Sequence, residues 1–135
     1  MEKKFEEIKN DILGKRYSLS IGYVSEEESK RINKKYRNKN KPANVLSFPF
    51  SNESGEILLC PDTIKRDTKK FSRTFPELLQ FMVIHGMLHL KGMQHSSRME
   101  REEDKYDKKY LYRNRSRLCQ DKGSGRRNNK RRKKS

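Results

Sequence analysis

The chain has 135 residues, 39% of them charged and 30% hydrophobic, with a formal net charge of +16. That length fits one small domain, and the absence of a bilayer-length apolar run or a signal-peptide core argues against a membrane protein and for a cytoplasmic one. A basic excess of this size favours polyanionic partners, nucleic acid ahead of anionic membrane.

Leu, Ile, Val and Phe together number 27, or 20%, a level at which disorder becomes plausible. Their clustering decides the matter: they concentrate in segments 17–24, 45–50, 57–60 and 78–90, enough for one modest core. Residues 121–135 hold eight Lys or Arg against one Asp, which leaves +9 on the first 120 residues. The body, 1–120, is therefore basic by itself. The tail, 121–135, contains a Gly123-Ser-Gly125 joint, has nothing to bury and is expected to be disordered while adding non-specific affinity for nucleic acid.

In chain order, Phe5, Ile8, Ile12 and Leu13 recur at helical spacing, predicting a helix over 2–13 ended by Gly14. Alternation through Tyr17, Leu19, Ile21 and Tyr23 predicts a half-exposed strand. Ser25 with Glu28 is a capping box that opens a helix to about Arg37, and a polar loop runs on to Pro42. Val45–Phe48 reads as a strand stopped by Pro49, Asn52–Gly55 as a turn, and Glu56–Cys60 as a strand antiparallel to the previous one. Pro61 opens a basic helix to about Lys70. Thr74 with Glu77 is a second capping box, and the helix it starts is apolar almost all round to Leu90, hence buried. Ser97 with Glu100 starts a last charged helix to about Leu118. Cys60 and Cys119 are far apart and form no C-x-x-C pair. They read as reduced thiols.

All three histidines fall in His85-Gly-Met-Leu-His89-Leu-Lys-Gly92-Met-Gln-His95. His85 and His89 are four residues apart, so a helix places them on one face. Gly92 can end that helix in the left-handed conformation and let the chain return His95 to the other two. Two imidazoles in a buried helix without partners are costly, whereas three neutral imidazoles leaving one open position make a catalytic zinc site. The spacing matches the long zinc-protease signature, but Gly86 stands where a protease carries its glutamate base. A zinc peptidase is accordingly disfavoured.

Three segments in order, Ile32–Arg37 with Asn44–Pro49, Gly55–Cys60 and His85–His95, resemble the bacterial YbeY family of rRNA maturation factors. The resemblance runs from about Ile32 to Leu118. Gln94, Ala43 and Glu56 stand where the family usually has Asp, Thr and Asp. None of these replaces a metal ligand, and a carboxylate at position 94 could orient one. The resemblance implies an α/β (α+β) domain with a mixed four-stranded sheet and about five helices around a central histidine-bearing helix. It implies a zinc-dependent, single-strand-directed endoribonuclease with one Zn2+ held by His85, His89 and His95, acting in maturation of the small-subunit rRNA 3′ end and in ribosome quality control. Its partners would be rRNA, the small ribosomal subunit, an Era-type GTPase and a small-subunit ribosomal protein.

By the same match, Arg37 corresponds to a functional arginine near the metal cleft. Its guanidinium offers a phosphate a two-pronged hydrogen-bond fork that lysine cannot form. Lys34, Lys35, Lys39 and Lys41 surround it and would grip backbone phosphates without reading sequence. Tyr36 or Phe48 could stack a base, core packing being the commoner fate of both. No Asp or Glu stands out as a general base. The competing reading is a non-catalytic RNA-binding ribosome-assembly factor with a structural zinc.

Overall fold

The computed structural model describes residues 2–115. Cys119, the expected helix end near Leu118 and the basic tail lie outside them. The order is α1 (Lys3–Ile12), β1 (Ser18–Tyr23), α2 (Glu26–Arg37), β2 (Val45–Ser51), β3 (Ser54–Leu59), α3 (Pro61–Arg66), α4 (Thr68–Phe71), α5 (Phe75–Leu90) and α6 (Ser97–Arg115). An α/β fold with six helices and a three-stranded mixed sheet results. The sheet order is β1-β3-β2, with β1 parallel and β2 antiparallel to β3.

Three details depart from the expectations. Among the described residues the sheet has three strands, where the resemblance implies four. Pro49 does not stop β2, which continues to Ser51. Because β2 is an edge strand, a residue without an N–H is tolerated there, and the register shifts between Pro49 and Ser51. The single helix expected from Pro61 to Lys70 is two. Asp67 leaves helical geometry at φ −88°, ψ 2° between them, and its carboxylate accepts from Asn44 Nδ2 at 3.0 Å. As expected, α6 starts at Ser97, and Ser96 Oγ just before it accepts from the Met99 N–H at 3.2 Å.

The core forms where α5 lies on the sheet. Leu78, Val83, Ile84, Met87 and Leu88 of α5 are fully buried, as are Ile57 and Leu59 of β3 and Ile8 of α1. Thr74 starts α5 with a complete capping box. Gly86 lets helix and strand approach closely: a Cβ there would stand 3.0 Å from Ile57 Cδ1 and 3.1 Å from Ser47 Oγ. In its place Ser47 Oγ donates to the Gly86 carbonyl at 3.0 Å, locking α5 onto the edge strand.

At the opposite side, α6 is tied to α1. Asp11 accepts from Lys109 Nζ at 2.6 Å and from the Tyr110 hydroxyl at 2.7 Å. The Lys109 hydrogen bond, against a smaller opposing effect of burial and with help from Tyr110, holds the Asp11 carboxyl below its ordinary value of 3.8. A depressed folded-state pKa stabilises above the unfolded value and ceases to do so as pH falls through the folded one. Asp11→Asn is therefore expected to cost about 1 kcal/mol at pH 7. The gap from wild type should begin to close only as pH falls below the ordinary 3.8 and through the lower folded-state pKa, where the folded carboxylate is neutralised. Urea melts at pH 7 and at stepped pH values below 3.8 measure it, and a gap that never narrows would refute the linkage.

Candidate metal centre

The site sits at the end of α5. Its last turn places His85 and His89 on one face, with ring centroids 4.7 Å apart. Gly92 then takes φ +104°. The Gly92 N–H donates to His89 O at 3.0 Å and the Met93 N–H to Leu88 O at 3.1 Å, the paired bonds of a Schellman stop. Reversed there, the chain brings the His95 ring to 4.7 Å from His89 and 5.2 Å from His85.

Each helical histidine has its Nδ1 side occupied. His85 Nδ1 pairs with the buried Glu103 carboxylate of α6. His89 Nδ1 faces the Met93 carbonyl at 3.1 Å. These contacts leave Nε2 of both rings unengaged by Glu103 or the Met93 carbonyl, and His89 Nε2 lies 3.1 Å from His95 Nε2. A tetrahedral ion with metal–nitrogen bonds of about 2.0–2.1 Å sets its donors roughly 3.3 Å apart. The three histidines offer one donor each within 4.8 Å of one another, so the set fits a metal ion. Burial first, then the nearby His85 and His95, with Arg37 contributing last, lowers the His89 pKa. The neutral imidazole this favours is the form that binds metal.

Glu103 is the residue that sequence reasoning missed. Its segment, Glu100 to Asp107, holds five acidic residues with nothing to distinguish one. Only the packing of α6 on α5 selects Glu103. Gln94, the position considered for a carboxylate partner, is exposed, and only its backbone carbonyl is engaged, by Ser96 Oγ. Carboxylate–histidine pairs fix the tautomer and orientation of a ligand. Glu103→Gln is expected to lower metal affinity by about 10- to 100-fold, measured by competition with a chromophoric chelator. Unchanged affinity would mean that Glu103 only packs.

Arg37 ends α2, exposed, close enough for its charge to act on His89. Its placement depends on polar groups buried beneath α2. Ser29 Oγ donates to Ala43 O at 2.8 Å and accepts from the Ala43 N–H at 2.9 Å. Asn33 Nδ2 donates to Lys41 O at 2.8 Å. Asn38 closes the helix at φ 56°. Lys34, Lys35, Lys39 and Lys41 are all exposed around this end. Tyr36 is 62% exposed, against the expectation of core packing, and meets half-buried Phe48 edge-on at 5.5 Å. An exposed aromatic among lysines is suited to a nucleobase.

Gly86, where a zinc protease carries its glutamate, faces the sheet, and a Cβ there would crowd Ile57 and Ser47 at 3.0–3.2 Å. Comparison with known proteins gives the family. A sequence profile for endoribonuclease YbeY matches residues 1–114. The chain belongs to the YbeY endoribonuclease family. Endoribonuclease YbeY of Thermotoga maritima is 33% identical over 114 residues, covering 83% of this chain and 75% of that protein. Its counterpart in Colwellia psychrerythraea is 40% identical over 91 residues, covering 62% of this chain and 59% of that one. A solution structure from Thermotoga maritima superposes with a TM-score of 0.61 at 30% identity, covering 91% of this chain and 89% of that one. These relatives are named as endoribonucleases. Among the described residues no helix is long and apolar enough to cross a membrane.

Proposed function

We propose that this protein is a zinc-dependent endoribonuclease that cuts single-stranded RNA, acting in the cytoplasm on the 3′ end of small-subunit rRNA and in ribosome quality control. The observation that carries the reading is the convergence of three imidazoles beside an exposed arginine in a chain of the YbeY family. His85, His89 and His95 would hold the ion. When bound, it supplies Lewis acidity to a phosphoryl oxygen of the substrate.

The chain's own residues do the rest. Glu103 and the Met93 carbonyl hold two imidazoles in the tautomer that turns Nε2 outward. Arg37 donates two hydrogen bonds to the scissile phosphate and offsets charge as it develops. Lys34, Lys35, Lys39 and Lys41 hold neighbouring phosphates without base preference. The basic tail extends the same attraction, and the small ribosomal subunit, with an Era-type GTPase and a small-subunit ribosomal protein, presents the strand.

Arg37→Lys keeps the charge and loses the fork. It is expected to reduce kcat on a single-stranded rRNA 3′-end fragment by about 100-fold with zinc content unchanged. A variant that cuts at the wild-type rate would remove Arg37 from the reaction.

A further inference from the structure

His85 and Glu103 also line a cavity of about 830 Å³, bounded by α4, α5, α6 and the residues entering β2. Small-ligand pockets span roughly 300–1,000 Å³, so there is room for a nucleoside. The two sides of this cavity differ in chemistry. Phe71, Phe81 and Met82 form an apolar side. The Phe81 ring is fixed in place by the buried Arg73, whose guanidinium carbon lies 4.5 Å from its centroid. From α6 come Ser97, Glu100, Arg101 and Asp104, at positions i, i+3, i+4 and i+7, hence one helix face.

That combination selects among ligands. A phosphate alone has no use for aromatic rings, and the attraction of Lys70 and Arg101 for it is offset by Glu100 and Asp104 in the same lining. A wholly apolar ligand would cover the exposed Glu100 carboxylate without offering it a hydrogen bond. A nucleobase is apolar on its faces and polar along its edge, and single-stranded RNA is recognised by stacking such faces and bonding such edges. Carboxylates only accept hydrogen bonds. They suit the N4 amino group of cytosine or the N6 amino group of adenine and disfavour uracil, which presents O4 at that edge. Because His85 belongs both to the cavity and to the histidine cluster, one nucleotide could place its base in the first and its phosphate at the second.

We infer that this cavity receives one unstacked nucleobase of the RNA strand being cut, and that it prefers a base bearing an exocyclic amino group over uracil. The inference rests on the endoribonuclease reading for the identity of the ligand and adds a specificity pocket to it. Lys70, which also lines the cavity, would hold an adjacent phosphate.

The test is titration of the full chain, with and without zinc, by CMP, UMP and ribose 5-phosphate, following the Met82 methyl resonance by NMR. CMP is expected to shift it and to bind about tenfold more tightly than UMP, while ribose 5-phosphate leaves it in place. Glu100→Gln, an exposed change, should bring CMP and UMP to near-equal affinity. A Met82 signal that CMP does not move, or that ribose 5-phosphate moves equally, overturns the pocket, and so does equal binding of CMP and UMP by the wild type. Cleavage of single-stranded RNA, assayed in parallel, separates the two readings. Cutting with a silent Met82 removes the pocket alone. A Met82 response without cutting removes the nuclease and keeps the base site.

Discussion

Replacing His89 with alanine is expected to abolish both bound metal and RNA cleavage while leaving the fold intact. His89 is the middle ligand: its Nε2 is 3.1 Å from His95 Nε2 and its ring is 4.7 Å from that of His85. Its loss leaves two imidazoles, one on a helix and one on the return loop, with no shared ring between them. Removing an outer partner of a ligand costs about 10- to 100-fold in affinity or activity, and removing a ligand should exceed that range. The fold survives for a separate reason. His89 is only half-buried and lies outside the buried apolar cluster, and the Schellman stop it precedes is made by backbone groups. Zinc per chain, circular dichroism and cleavage of a single-stranded rRNA 3′-end fragment would be measured on one preparation. Folded, metal-free and inactive protein is the expected outcome. Normal cleavage would sink the metalloribonuclease reading. A metal-free chain that no longer folds would instead assign the ion a structural role and favour the assembly-factor alternative.

The largest effect on stability should come from Asp107→Ala. Asp107 and Arg73 form an ion pair with a 2.9 Å contact and side chains 0% and 4% exposed, joining α6 to the segment that leads into α5. Truncating one partner leaves the other charge buried without its counterion, which costs about 3–5 kcal/mol. A small domain has roughly 5–15 kcal/mol in total, so Asp107→Ala should approach the point of unfolding. Replacing both members with apolar residues of similar volume, Arg73→Met with Asp107→Leu, should recover most of the loss, because no lone charge then remains. Urea denaturation of both variants decides it. A loss under about 1 kcal/mol for Asp107→Ala would mean that water reaches the pair. The same contact bears on function, since Arg73 also stacks on Phe81 at the cavity beside His85.

Much of this architecture was legible in local signals. The helix carrying the ligands follows from Thr74 with Glu77 at its start and Gly92 after its end, and those short-range rules held. The antiparallel β2–β3 pair followed from the two short runs around Asn52–Gly55 and was found as expected. Pro49 was misread because tolerance of a missing N–H depends on whether a strand is central or at an edge, and a strand's neighbours are not written in its own residues. The split at Asp67 was hidden for a similar reason, its carboxylate being engaged by Asn44 from 23 residues away.

The sequence by itself determined the histidine cluster. Three histidines at i, i+4 and i+10 around a glycine stop leave little freedom, because helix periodicity and one left-handed residue are local geometry. Only the tertiary structure decided the rest. It chose Glu103 from a run of acids, paired Arg73 with Asp107 across 34 residues, and turned Gly86 toward the sheet, where a side chain would crowd Ile57 and Ser47. It also opened a cavity against one of the ligands. Each of these depends on how α6 and the sheet pack against α5, a long-range arrangement that no local window of residues encodes.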